Sequence, residues 1–166
     1  MADSATVLEL IDVAAIDLAV EPAERDGAIL ALARRLQATG RVIDAEAVTA
    51  AALEREAIGS TNVGFGVAIP HAKSEHVARA GFAFGRRAGG IRWAGEAVAD
   101  AGGESTGDHD VDLVFLIASP AKASDDHLRI LATLARALMH EEFRDALRGT
   151  GTAEETLSLL AERLSG

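Results

Sequence analysis

The segment VDLVFLIAS, residues 111–119, holds six apolar residues in a row from Leu113 to Ala118. A strand with one wet face alternates apolar and polar side chains, and this one has no polar face to offer. It therefore predicts a central strand covered on both sides, and with it a layered α/β fold. The other long apolar run, Ala28 to Ala33, is also six residues. Crossing a membrane takes roughly 20, so neither is a span. At 166 residues and 17.2 kDa the whole chain, 1–166, is expected to form one domain. Apolar residues make up 49% but aromatics only 4%, so Ala, Val, Leu and Ile must fill the core. That hydrophobicity excludes intrinsic disorder. The absence of cysteine excludes disulfides, thiolate metal sites and cysteine nucleophiles. MADSATVLEL has no basic stretch followed by an apolar one, so no secretory signal is expected and a cytoplasmic location is.

Other elements follow from local signals. VLELIDVAAIDLAV reads as one or two short strands. Pro22 suits the first turn of a helix whose stripe is Ile29, Leu30, Ala33 and Leu36, stopped by Gly40. Asp44 caps a second helix that ends at Gly59. STNVGFGVAIPH reads as an irregular loop entering a short buried strand, and Ala80, Phe82 and Phe84 alternate as a further strand. Ser124, followed by two aspartates, caps a helix with Leu128, Leu131, Leu134 and Leu138 on one face. A short helix around Glu141 to Leu147 ends at Gly149, and Thr152 with Glu155 forms a capping box for a last helix ending near Leu164. The expected architecture is a single three-layer α/β domain, a mixed β-sheet flanked by helices on both faces. Residues 94–110, AGEAVADAGGESTGDHD, read as a long acidic loop.

The net charge of -10 is unevenly spread. Residues 93–121 carry six acids and no base, whereas residues 23–92 carry seven acids and ten bases. Nucleic acid needs a more extensive basic face and is excluded as a partner. A small anion such as a phosphoryl group is compatible with the basic middle; so is a merely uneven solvated surface.

Chemistry points first to the five histidines, at 71, 76, 109, 127 and 140. His71 follows Ile69-Pro70, so its backbone is pre-positioned by the proline. It is either a functional group or a packed strand-end histidine. Gly64-Phe65-Gly66 lets backbone approach a bound group but is no P-loop. His127 falls in the first turn of a helix, where free N–H groups attract anions; alternatively it is a core-rim histidine. Asp108-His109-Asp110 lacks supporting metal-ligand spacing. No G-x-S-x-G elbow or H-E-x-x-H helix is present.

LEREAIGSTNVGFGVAIPHAK, residues 53–73, closely resembles the active-site region of the fructose/mannitol-type EIIA domains of the bacterial sugar phosphotransferase system. VDLVFLIASPAKASDDHLRILATLARAL and the following MHEEFRDAL resemble the family's later strand, second histidine and helices, in collinear order from about residue 6 onward. The combination of Arg-Glu, Ser-Thr, Gly-x-x-x-Pro-His and Asp-His-Leu is highly specific, and Pro-His-Ala-Lys is most similar to the fructose branch.

The resemblance implies that His71 is the residue phosphorylated by the carrier protein HPr, and that the group then passes to a cysteine of an EIIB domain. It implies that His127 orients the phosphoryl group and that Arg55 stabilises its charge. Glu54 and Glu56, flanking Arg55, read as surface or orienting charges. No metal or other cofactor is implied, since a neutral imidazole is nucleophilic near pH 7 and phosphoryl transfer needs mainly positioning and charge stabilisation. Membrane association would come only through EIIB and EIIC domains on other chains. Partner docking is expected on an apolar patch around His71. A second reading, from a different class, is a regulatory module like the nitrogen-type EIIA proteins.

Overall fold

The computed structural model describes residues 9–93, 110–122 and 127–164, with backbone alone for 127–131. Six strands, β1 (Ile16–Asp17), β2 (Asn62–Gly64), β3 (Val67–Ala68), β4 (His71–Ser74), β5 (Gly81–Ile91) and β6 (Val111–Pro120), form one sheet. Among the described residues five α-helices accompany it: α1 (Arg25–Ala38), α2 (Ala45–Ile58), α3 (His127–Ala137), α4 (Glu141–Gly149) and α5 (Ala153–Leu164). The strand order is β1-β5-β6-β3-β2, with β4 also on β6. β5 and β2 run antiparallel to their neighbours β6 and β3, while β1/β5, β3/β6 and β4/β6 are parallel, so the sheet is mixed.

β6 is the central strand its composition demands. Val114, Leu116 and Ala118 join the core beneath α1 and α2, while Leu113 and Phe115 join the core beneath α3, α4 and α5. Ala28, Ile29, Leu32, Ala33 and Leu36 of α1 and Val48 and Ala52 of α2 fill the first core. Leu134, Leu138, Phe143, Leu147, Leu160 and Leu164 fill the second, against Phe82, Phe84 and Phe115. Helices thus cover both faces of the sheet, as expected. The few aromatics concentrate in the second layer, where the Phe84 and Phe115 ring centroids stand 4.8 Å apart.

Several local signals hold. Asp44 Oδ1 accepts the backbone N–H groups of Glu46 and Ala47, both at 3.1 Å. Gly40, φ 89°, follows the α1 C-cap Thr39, the left-handed position glycine suits. Thr152 Oγ1 accepts Glu155 N–H at 3.0 Å, and the Glu155 carboxylate accepts Gly151 N–H. The Ser124 cap with its aspartates, and residues 94–109 of the acidic loop, lie outside the described residues, as do the side chains of Leu128 and Leu131.

VLELIDVAAIDLAV provides, among its described residues, one short strand, β1, after a 3-10 turn at Val13–Ala15 in which Ala15 N–H turns back onto Asp12 C=O. Two expectations are corrected. Pro22 is not in the first turn of α1, which starts at Arg25. The chain at Glu24 is instead extended and paired with Arg92, through Arg92 N–H to Ala23 C=O and Arg25 N–H to Arg92 C=O. Finally, STNVGFGVAIPH is no irregular loop. β2 and β3 form a hairpin whose turn runs through Gly64, Phe65 and Gly66, with φ of 94°, 62° and 80°.

Candidate functional site

β3 and β4 are two halves of one line of chain against β6, interrupted at Ile69-Pro70. Val67 and Ala68 stand beside Leu113 and Val114, and after the break His71 stands beside Ile117. Proline has no N–H to give the ladder, but its C=O still accepts from Ile117 N–H at 3.0 Å. His71 is therefore the first residue of β4, held by a rigid residue on one side and parallel pairing on the other. Its neighbour Ala72 lies in the α1/α2 core, so strand alternation turns the partly buried His71 to the opposite face, toward the α3–α5 layer.

The ring orientation is chemically decisive. His71 Nδ1 lies 3.1 Å from Ile69 C=O. A carbonyl can only accept, so Nδ1 carries a proton, and in the neutral ring the lone pair is on Nε2.

Arg55 lies in the last turn of α2, which packs against β4. Its Nη1 donates to Gly59 C=O at 2.9 Å, a satisfied helix-end carbonyl. His127 opens α3, and Leu134 of that helix and Leu138 just beyond it lie on the face toward which His71 turns; the His127 side chain lies outside the described residues. Lys73, exposed and two residues beyond His71 on the same strand, shares its face. Sequence reading did not single Lys73 out.

The other candidates stand apart. The Gly64–Gly66 turn is no phosphate cradle for His71: Gly66 C=O accepts from Asp112 and Leu113 N–H at the start of β6, five residues, about 16 Å, below the level of His71. Arg148 Nη2 occupies the Phe65 C=O at 2.8 Å, and the Arg144 guanidinium sits 4.2 Å from the Phe65 ring centre. His140 is the exposed residue preceding α4, and His76 serves through its backbone C=O to Ile43. His109 lies outside the described residues. Among the described residues no three His, Asp or Glu side chains cluster as metal ligands, and no helix is long and apolar enough to cross a membrane.

The basic middle of the sequence is mostly structural. Arg41, 4% exposed, binds Asp12 and the carbonyls of Glu9 and Ala80. Arg86 binds Leu147 C=O and both oxygens of Thr150, and Arg87 binds Val20, Glu21 and Gly90 carbonyls. Of the two readings of Glu56, a surface or an orienting charge, the first fails. Glu56 is 6% exposed, and its carboxylate accepts Thr61 N–H, Thr61 Oγ1–H and, at 3.3 Å, Trp93 Nε1–H. Its helical spacing from Val48, Thr49 and Ala52 was the available signal.

Comparison with known proteins bears on the family and the fold. The family model described as "Phosphoenolpyruvate-dependent sugar phosphotransferase system, EIIA 2" matches residues 9–163. The chain is 39% identical to the fructose-specific EIIA component of the Haloferax volcanii phosphotransferase system over 95% of this chain and 92% of that one. Among solved structures, nitrogen regulatory protein IIA-Ntr of Neisseria meningitidis superposes with a TM-score of 0.77 at 26% identity, covering 92% of this chain and 97% of that one. Mannitol enzyme IIA of Escherichia coli, solved in complex with phosphorylated mannitol enzyme IIB, gives 0.72 at 26% identity, with coverage of 92% and 97%. With its motif, its mixed sheet and the length of the match in agreement, this chain belongs to the EIIA 2 family of the phosphoenolpyruvate-dependent sugar phosphotransferase system.

Proposed function

We propose that the protein is a phosphocarrier of sugar uptake, in which His71 Nε2 takes a phosphoryl group from phosphohistidine on HPr and passes it to a cysteine on an EIIB domain. The observation that carries this reading is the His71 Nδ1–H bond to Ile69 C=O. It leaves the Nε2 lone pair as nucleophile with no proton to remove. In the first step a bond forms from Nε2 to phosphorus as the P–N bond in HPr breaks. In the second, the cysteine thiolate attacks phosphorus and the bond to Nε2 breaks, returning the lone pair. Nδ1 keeps its proton throughout, donating it in the hydrogen bond to Ile69 C=O, and that bond partly offsets the positive charge on the phosphorylated ring.

Arg55 and His127 stabilise the charge on the transferring phosphoryl, and Lys73 adds a cation on the same face of β4. Both donor and acceptor are protein side chains, so the partly exposed strand end suits the task better than a deep pocket would. Fructose or a related sugar or polyol is the transported class, supported by the similarity to a fructose-specific component. An EIIB acceptor is supported by the mannitol IIA–IIB complex among the structural neighbours. The protein acts in the cytoplasm and reaches the membrane only through partners.

Incubation with phosphoenolpyruvate, enzyme I and HPr is expected to place an acid-labile phosphate on His71. Equal labelling of His71→Ala would refute the assignment. The similarity to a nitrogen regulatory protein favours a second reading, a module whose phosphorylation state controls other proteins. Capture of a regulator by only one phosphorylation state, without transfer to any EIIB, would replace the transport reading with that one.

A further inference from the structure

We infer that Glu56 is a positioning residue for the chemistry at His71, holding through Thr61 and Ile69 the carbonyl that sets the tautomer of the nucleophile. Its functional consequence rests on the phosphocarrier reading; its structural content does not.

Glu56 is doubly costly where it stands. It is 6% exposed, and no cation pairs with it among the described residues. Burying a carboxylate that only neutral donors satisfy is unfavourable compared with an apolar side chain of the same size. It also lies in the last turn of α2, where the helix dipole disfavours negative charge. A residue that served packing alone would be Leu or Met.

What these costs hold in place is a continuous line of hydrogen bonds. Thr61 donates both N–H and Oγ1–H to the Glu56 carboxylate. Thr61 C=O in turn accepts Ile69 N–H at 3.0 Å. Ile69 C=O accepts His71 Nδ1–H at 3.1 Å. Pro70, between acceptor and ring, has a locked φ, so the position of the Ile69 carbonyl is decided mainly by what grips Ile69 from behind. That grip is Thr61, and Thr61 is gripped by Glu56. Consecutive residues seize the two ends of one turn: Arg55 takes Gly59 C=O and Glu56 takes Thr61 N–H. Trp93, 1% exposed, donates to the same carboxylate and shields it from water, which strengthens each bond in the line.

Freed from such an acceptor, a neutral histidine in water favours the other tautomer, with the proton on Nε2 and no lone pair there to attack phosphorus. Loosening Glu56 should therefore lower the fraction of competent His71 as well as its positional order.

The test is the nitrogen-15 spectrum of the histidine rings in the full chain, with the His71 signals identified by their loss in His71→Gln. The unmutated chain is expected to show Nδ1–H predominating. In Glu56→Gln and in Thr61→Val the Nδ1–H to Nε2–H ratio should fall by about threefold or more, and the single-turnover rate from phospho-HPr by about tenfold, within the roughly hundredfold that a small misplacement can cost. Thr61→Ser, which keeps the hydroxyl, should retain both. An unchanged tautomer ratio in Glu56→Gln overturns the proposal whatever the rate does, as does a ring that is Nε2–H in the unmutated chain. Should Glu56→Gln not fold, the contrast between Thr61→Val and Thr61→Ser decides in the same way. A chain that takes no phosphate from HPr would sink the phosphocarrier reading, while the tautomer comparison, which needs no phosphoryl donor, would still decide the role of Glu56.

Discussion

Arg148 grips Asp112 with two parallel hydrogen bonds, Nε to Oδ2 at 2.6 Å and Nη2 to Oδ1 at 2.9 Å, and so ties the end of α4 to the start of the central strand. The fork-to-carboxylate geometry is the strong form of ion pair, although both side chains keep a quarter to a third of their surface in water. Arg148→Met should cost about 1–2 kcal/mol after allowing for that exposure. In a chain of this size that lowers Tm by about 2–8 °C. The Asp112 hydrogen bond raises the Arg148 pKa above its ordinary value. A raised pKa in the folded state contributes stability that is fully present below the unfolded value and is lost only as pH rises through the folded one. Chemical denaturation of the two proteins should therefore give the same difference at neutral pH and at about pH 10. A difference that shrinks over that interval would contradict the assignment.

Phe65 holds a left-handed backbone, φ 62°, while 55% exposed. For a residue with a Cβ this conformation costs about 1–2 kcal/mol. The cation–π contact with Arg144 returns about 0.5–1 kcal/mol at an exposed site. The strain wins, so Phe65→Asn, which tolerates that conformation, should raise Tm by about 1–3 °C. A fall in Tm would mean that the ring contacts outweigh the backbone.

Arg55 is expected to matter to transfer and not to stability, since its hydrogen bond to Gly59 C=O is exposed. Arg55→Lys keeps the charge but loses the fork. It should slow phosphorylation of His71 by about 100-fold, the lower end of what losing one donor to a developing oxyanion costs, with Tm unchanged within about 2 °C. Stopped-flow or quenched transfer from phospho-HPr reads the rate; equal rates would remove Arg55 from the site.

Ile58, 83% exposed, immediately precedes the Gly59 that Arg55 holds. If partner proteins dock over this helix end, Ile58→Asp should raise the KM for phospho-HPr by about tenfold and leave kcat and Tm nearly unchanged, the behaviour of an apolar anchor at an interface. An unaltered KM would move the docking surface elsewhere.

Arg86→Met removes three hydrogen bonds between β5 and the end of α4 and strands the Thr150 carbonyl, while Leu147 C=O keeps only the Thr150 hydroxyl at 3.4 Å. A loss of about 2–4 kcal/mol is expected by denaturant titration. A loss under about 0.5 kcal/mol would show that water replaces the guanidinium.

Signals local in sequence were legible, and those requiring two distant segments were not. The Asp44 cap, the Gly40 and Gly59 ends, the alternation at Phe82 and Phe84 and the two-faced β6 each depend on a few neighbouring residues, and each is where the pattern put it. Pro22 was misplaced because the next residues pair with Arg92, almost seventy positions away. The basic middle read as a charge surplus open to an anion, but Arg41, Arg86 and Arg87 are committed to backbone carbonyls from other elements. A carbonyl acceptor leaves no trace in composition.

The sequence alone therefore determined the layered α/β class, through β6, and the family, through the Arg-Glu…Pro-His and Asp-His-Leu motifs. It also placed His71 behind a proline, which bounds its backbone. It left open which ring nitrogen of His71 is free, and whether Glu56 is a surface or an orienting charge. Only the tertiary structure decided both points. The tautomer depends on a carbonyl whose position the fold sets through Thr61, and the burial of Glu56 depends on Trp93 arriving from the far end of β5. Periodicity tells a side chain which way to face; only packing tells it what it will meet.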